Sequence, residues 1–152
     1  MKILVCGGSG FIGSAFIHKY LKSNSELSIT NIDNLTIGSN QENLKDIQSN
    51  NQYNFIQDNI QNESVISNLV KDFDIVVNFA AESHVDRSIS NPKPFVETNV
   101  LGIYSLLEAI RKHDKLFIHV STDEVYGDAE NEDSFNEISQ INPSNPYSAT
   151  KA

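Results

Sequence analysis

Four apolar residues, Ile3-Leu4-Val5-Cys6, run straight into Gly7-Gly8-Ser9-Gly10-Phe11-Ile12-Gly13, and a helical pattern begins inside that loop. A short, continuous apolar run with no polar alternation reads as a strand buried on both faces, the signature of a parallel sheet. Residues 11–21 then place Ile12, Ala15, Phe16 and Tyr20 at helical spacing. The same alternation continues down the chain. Strands are predicted over 27–32, 53–56, 74–79 and 116–120. Helices are predicted over 65–70 and 95–113, the second with Val96, Val100, Ile103, Leu107 and Ile110 along one side. Strand and helix in strict alternation predict an α/β chain, a Rossmann-type doubly wound parallel sheet of at least five strands. The 38–52 segment is polar and Asn-rich and reads as a partly helical surface excursion. The 128–145 segment, acidic and then broken by Pro143, reads as a long loop.

At 152 residues one domain is expected, and 39% hydrophobic against 20% charged residues describes a globular chain rather than a disordered one. The net charge of -9 argues against nucleic acid or an anionic membrane as partner, since either needs a basic face. Asp123, Glu124, Asp128, Glu130, Glu132, Asp133 and Glu137 crowd one stretch and predict a solvated loop. Cys6 is the only cysteine, which excludes an intrachain disulfide and a cysteine metal cluster. Its place at the end of an apolar run makes it a core residue. The N-terminus lacks a signal-peptide pattern, and no apolar run approaches the ~20 residues of a membrane span. A cytoplasmic protein with no metal site is expected.

The glycines satisfy both the Gly-x-x-Gly-x-x-Gly and Gly-x-Gly-x-x-Gly spacings. Glycine at Gly7, Gly10 and Gly13 allows a tight turn, a close approach of backbone to pyrophosphate, and close packing of helix on strand. The helix start supplies free N–H groups for phosphate. Asp33 closes the second strand ~20 residues on, where a carboxylate accepts from ribose hydroxyls. Asn34 follows with no arginine nearby for a 2′-phosphate, which favours NAD over NADP. A glycine turn beside an idle strand-end aspartate is the competing reading. The joint placement weighs against it.

Ser121-Thr122-Asp123-Glu124 follows the fifth strand, at the sheet edge where ligands of open α/β sheets bind. Two carboxylates beside hydroxyls there suit an acid and base pair. They equally suit an ordinary strand-to-loop transition. Tyr147 and Lys151 are four apart, with Asn145 as helix cap and Pro146 at the first helical position, so both share one face. An ammonium near a phenol favours phenolate and is expected to lower the tyrosine pKa, making Tyr147 a proton acceptor.

Taken together, these strings resemble the extended short-chain dehydrogenase/reductase superfamily. The finer ones resemble its nucleotide-sugar 4,6-dehydratases. They are Gly7 to Ser14, Asp33-Asn34-Leu35-Thr36, Ala80-Ala81-Glu82-Ser83-His84-Val85-Asp86-Arg87-Ser88-Ile89, Glu97-Thr98-Asn99, Ser121 to Gly127, and Pro146-Tyr147-Ser148-Ala149-Thr150-Lys151-Ala152. The Ala-Glu-Ser-His-Val-Asp-Arg-Ser string and the Thr-Asp-Glu triplet are far more specific than the glycine loop. Related epimerases usually lack the triplet.

The resemblance implies dehydration of dTDP-glucose to its 4-keto-6-deoxy sugar with NAD as cofactor, in a homodimer. The competing readings are another nucleotide-sugar epimerase or dehydratase of the superfamily, and a non-catalytic NAD-binding remnant. On the first reading Tyr147 is the base at the 4-hydroxyl, helped by Thr122 and Lys151. Glu124 removes the C5 proton and Asp123 protonates the leaving 6-hydroxyl. Gly7, Gly10, Phe11, Ile12 and Gly13 hold the pyrophosphate, and Asp33, Asn34, Leu35 and Thr36 the adenosine. Phe79, Ala80, Ala81, Glu82, Ser83, Thr98, Tyr147 and Lys151 line the cofactor. Ser83 and Thr122 also reach the substrate. Asn59-Ile60 stands where the family usually has Asp-Ile against adenine. Asparagine keeps an acceptor oxygen there. His84 and Arg87 are given structural or near-site hydrogen-bonding roles, because a lone histidine lacks metal partners. Residues 1–152 are expected to be an incomplete NAD-binding domain without the C-terminal sugar-nucleotide domain. The expectation includes a fraying last helix, an exposed apolar edge at 116–120 and little or no activity of these residues alone.

Overall fold

A computed structural model of the chain describes residues 1–129 and 134–152. Of the acidic stretch, Glu130, Glu132 and Asp133 lie outside the described residues, as does that part of the 128–145 loop. The chain divides into two compact units, one of residues 1–80 and 102–120, the other of 81–101 and 121–152.

The first unit is a five-stranded parallel sheet in the order β3-β2-β1-β4-β5, made of β1 (Lys2–Cys6), β2 (Ser28–Asp33), β3 (Tyr53–Gln57), β4 (Ile75–Asn78) and β5 (Leu116–His119). Helices α1 (Phe11–Ser23), α2 (Glu63–Val70) and α5 (Ile103–His113) flank it in a Rossmann-like arrangement. The continuous apolar run of β1 is explained by burial on both faces. Leu4 and Cys6 join Ile66, Val70, Val76, Leu106 and Ala109 in one core. Ile3 and Val5 join Ile17, Leu21, Ile29 and Val77 in the other. Side chains alternate across a strand, so a central parallel strand needs apolar residues at every position. Each such Leu, Ile or Val contributes roughly 1.5–3 kcal/mol. Cys6 is fully buried and burial pushes its thiol up, as befits a packing residue.

The helical stripes differ from those expected. In α1 the buried residues are Gly13, Ser14, Ile17 and Leu21, whereas Ile12 and Tyr20 are exposed. The helix is turned because Gly13 must sit against the backbone of Gly7 and Gly8. In the predicted 95–113 helix the chain runs as α4 (Lys93–Phe95), a π-helical stretch Val96–Gly102, and then α5. The extra residue per turn shifts the pattern. Val96, Val100 and Leu107 are exposed, while Phe95, Asn99, Ser105, Leu106 and Ala109 are buried. The 38–52 segment is more than a surface excursion. Its 3-10 helix, Gln41–Ile47, buries Leu44 and Ile47 in the core shared with α1. At the sheet edge, Leu116 and Ile118 of β5 are exposed.

The second unit holds α3 (Val85–Ser90), α4, most of the π-helical stretch, a 3-10 turn Asp123–Tyr126 and α6 (Pro146–Lys151). Six residues make a marginal helix alone, but α6 is tied at several points. Asn145 and Ser148 form a reciprocal capping box, and the Tyr147 N–H donates to Ser88 Oγ at 3.1 Å. Ser121 Oγ donates to the Lys151 carbonyl at 3.0 Å, and Asn99 Nδ2 donates to Thr150 Oγ1 at 3.0 Å. Among the described residues no helix is long and apolar enough to cross a membrane.

Candidate active site

In the first unit the loop after β1 is built by contacts that leave no room for a side chain at Gly7, Gly8 or Gly13. Gly7 has φ +75°, and a Cβ there would lie 2.5 Å from the Ala80 nitrogen. A Cβ on Gly13 would lie 2.4 Å from the Gly7 carbonyl oxygen. Helix α1 starts at Phe11 with no side-chain cap and no acidic residue in its first turn, so its N–H groups face a space suited to an anion. Phe11 and Ile12 are exposed beside it.

Asp33 is buried at the end of β2 and both of its oxygens are in use. The Ser9 N–H donates to Oδ2 at 2.9 Å. The Leu35 N–H and the Ser39 hydroxyl donate to Oδ1 at 2.9 and 2.6 Å. The aspartate therefore orders the glycine loop and the 35–39 turn, and a ribose hydroxyl meets a carboxylate with one acceptor position left of about four. Leu35 pays for this turn with φ +55°, a strained value for a bulky residue. Asn34 and Thr36 are exposed beside it. Asn31, missed by sequence reasoning, is buried under the loop, accepting from the Gly8 N–H at 2.9 Å and donating to Ser9 Oγ at 3.0 Å. A buried polar residue at a strand position was its one signal. The Asn59 side-chain oxygen is already engaged by the Gln61 N–H at 3.0 Å, in a turn that leads into α2, and Ile60 is core. Phe79 and Ala80, half-buried, follow β4.

In the second unit the Thr-Asp-Glu triplet and α6 are brought together. Thr122 caps the 3-10 turn, accepting from the Glu124 N–H at 3.3 Å and donating to Asp123 Oδ1 at 3.3 Å. The Thr122 side chain lies near enough to the Tyr147 phenol to favour its ionised form. Asn145 Nδ2 donates to Glu124 Oε2 at 3.1 Å. Lys151 is buried one helical turn beyond Tyr147. Thr122 and Glu124 are half-buried and Asp123 is exposed.

The electrostatics differ from the expected ones. Burial pushes the Tyr147 phenol above its ordinary value, the Glu124 and Asp123 carboxylates push the same way, and the Thr122 side chain opposes them. The expected lowering by Lys151 is overturned: burial disfavours the ammonium itself and brings Lys151 down to about 8.

Nearby, Asn99 clamps the segment that carries the other expected residues. Its Oδ1 accepts from the Glu82 N–H at 2.9 Å and its Nδ2 donates to the Glu82 carbonyl at 3.0 Å. Ala81 and Thr98 are half-buried and Ser83 is exposed. Arg87 Nη1 lies 2.8 Å from Glu82 Oε2 but off a hydrogen-bonding direction, so the pair is ionic. No group of His, Cys, Asp or Glu among the described residues is arranged to hold a metal. Asn99 and Ser88 carry no chemistry of their own. Both lie in strings that carry the resemblance, which gives neither a role.

Comparison with known proteins adds four findings. The family model described as GDP-mannose 4,6 dehydratase matches residues 4–152. A dTDP-glucose 4,6-dehydratase of Mycobacterium tuberculosis is 46% identical over 154 residues, covering 100% of this chain and 46% of that protein. The crystal structure of a dTDP-glucose 4,6-dehydratase from Bacillus anthracis in complex with NAD superposes with TM-score 0.90 at 41% identity, covering 99% of this chain and 47% of that one. DesIV, the Streptomyces venezuelae enzyme of that name crystallised with NAD, gives TM-score 0.94 at 37% identity over 99% and 48%. The chain thus spans about half the length of the relatives it matches.

Proposed function

The chain belongs to the GDP-mannose 4,6 dehydratase family, and from that premise we propose that it is the cofactor-binding and acid/base part of a nucleotide-sugar 4,6-dehydratase acting on dTDP-glucose. The observation that carries this reading is the tie between two elements. Asn145 Nδ2 donates to Glu124 Oε2, and Ser121 Oγ to the Lys151 carbonyl. The 3-10 turn bearing Asp123 and Glu124 is thereby held to the helix that bears Tyr147 and the buried Lys151. One group suits oxidation at a hydroxyl, and a separate carboxylate pair suits elimination.

NAD fits the first unit. The glycine loop leaves open space at Gly10, where the nearest atom to an added Cβ is 3.5 Å away, and α1 presents uncapped N–H groups. Gly7, Gly10, Phe11, Ile12 and Gly13 would hold its pyrophosphate, Asp33 to Thr36 its adenosine, and Asn59 and Ile60 would border adenine. Phe79 to Ser83, Thr98, Tyr147 and Lys151 would line the rest. When bound, NAD supplies the hydride acceptor at C4 and the donor at C6.

The chain's own groups move the protons. Tyr147 Oη would take the proton of the 4-hydroxyl as phenolate, and Thr122 Oγ1 would hydrogen-bond that oxygen. Burial disfavours the phenolate in the chain alone, and the positive charge of bound oxidised nicotinamide would favour it. The new ketone acidifies C5–H. Glu124 removes that proton while Asp123 protonates the departing 6-hydroxyl, so water leaves across C5 and C6. Ser83 positions the sugar. The nucleotide of the sugar is gripped by residues outside 1–152, and the working protein is a cytoplasmic homodimer. Tyr104 and Leu107 of α5, both exposed, suit such an interface.

The test incubates the full-length protein with NAD and either dTDP-glucose or UDP-glucose. Formation of the 4-keto-6-deoxy sugar from dTDP-glucose is expected. Epimerisation of UDP-glucose, with dTDP-glucose untouched, would refute the reading.

A further inference from the structure

We propose that Asn145 is a positioning residue for Glu124, coupling the base that removes the C5 proton to the helix that carries Tyr147 and Lys151. The inference rests on the dehydratase reading given above.

The geometry is a single amide used at both ends. Asn145 has extended backbone, φ -141° and ψ 163°, and stands as N-cap of α6. Its Oδ1 accepts from the Ser148 N–H at 2.8 Å and its Nδ2 donates to Glu124 Oε2 at 3.1 Å. This assignment of O and N is dictated by the partners. A flipped amide would point NH2 at the Ser148 N–H and oxygen at a carboxylate, two repulsions in place of two bonds.

Two further bonds seat the pair. The Glu124 N–H donates to Thr122 Oγ1 at 3.3 Å, and the Asn142 N–H donates to the Val125 carbonyl at 2.9 Å. With Oε2 held, Oε1 makes no hydrogen bond among the described residues and is the atom left to receive a proton. An N-cap needs only the side-chain oxygen, and serine and aspartate cap as well as asparagine does. Only asparagine supplies the second, donating group at this reach. The NH2 is therefore surplus to the fold and available to the chemistry.

That surplus makes the two roles separable. Asn145→Ser keeps the cap and removes the donor. Asn145→Asp keeps the cap and sets a carboxylate against Glu124. In the full-length protein Asn145→Ser is expected to melt within about 2 °C of wild type, since the cap is kept, and Asn145→Asp somewhat lower through repulsion between the two carboxylates. Both are expected to lose kcat on dTDP-glucose by on the order of 10- to 100-fold with little change in KM, the cost of a misplaced base. With substrate deuterated at C5, the isotope effect on kcat should grow in both, because proton removal becomes slower. Asn145→Ala, which loses cap and donor together, is expected to show the same kcat loss and a lower melting temperature. Wild-type kcat and an unchanged isotope effect in the serine and aspartate variants would overturn the proposal. So would a kcat loss that merely tracks lost melting temperature, since that is a capping role alone. A wild-type protein that forms no keto sugar from dTDP-glucose would sink the dehydratase reading, and this inference with it.

Discussion

Replacing Gly13 with alanine sets two effects of known size against each other. Alanine in a helix is favoured over glycine by about 1 kcal/mol. Against this, the new Cβ would lie 2.4 Å from the Gly7 oxygen and 2.7 Å from the Gly8 Cα, where ordinary contact is 3.4–4 Å. About 1 Å must open between α1 and the loop, and both neighbours are backbone. Overpacking of that kind costs ~3 kcal/mol at the upper end of its usual range. The clash wins by about 2 kcal/mol, so Gly13→Ala is expected to lower the unfolding free energy of the full-length protein by about 2 kcal/mol and its melting temperature by roughly 3–4 °C. Gly10→Ala is the control. There the nearest atoms to a Cβ are 3.5 and 4.0 Å away, and φ -75° with ψ 175° suits alanine. The weaker cap and the reduced chain entropy of the unfolded state nearly cancel, each well under about 1 kcal/mol. That methyl instead fills the space assigned to pyrophosphate. Melting should stay within about 2 °C. NAD affinity by calorimetric titration should fall by about 10-fold or more, which is 1.4 kcal/mol or more. A Gly13→Ala protein as stable as wild type would refute the packing argument. A Gly10→Ala protein that binds NAD as wild type does would remove the loop from its assigned role.

Three other perturbations read different parts of the molecule. Burial holds Lys151 at about 8 against an ordinary 10.5, so between those pH values the unfolded state binds more protons and this group makes stability rise with pH. The denaturation free energy of wild type minus that of Lys151→Met should therefore increase from pH 7 to pH ~10.5. A flat or falling difference would contradict the burial argument. Ser88→Ala removes the hydroxyl that accepts from the Tyr147 N–H and donates to the Val85 carbonyl at 2.7 Å. Leaving that N–H unpaired should cost ~1–3 kcal/mol in denaturant titration, and an unchanged midpoint would show that the bond is idle. Glu124→Gln in the full-length protein should abolish formation of the keto-deoxy sugar, whereas wild-type product formation would take Glu124 out of its role.

What the amino-acid order determined by itself was local. An apolar run without alternation means a strand covered on both faces, and β1 carries a core on each side for that reason. Glycines at fixed spacing between strand and helix mean a tight loop, and Gly7 and Gly13 occupy positions that no other residue fits. The spacing of Tyr147 and Lys151 put them on one helix face because four residues make about one turn. What required tertiary structure was everything summed over neighbours distant in sequence. The rotation of α1 was decided by where Gly13 had to touch, and the phase of the 95–113 stretch by a π-helical insertion. The direction of the Tyr147 shift depended on burial and on two carboxylates more than twenty positions away, which outweigh the opposing effect of Thr122. Asn145 looked like a cap and nothing more until its amide was found between Ser148 and Glu124. A residue's period along the chain is written in its neighbours. Its charge environment and its hydrogen-bond partner exist only once the chain has closed on itself.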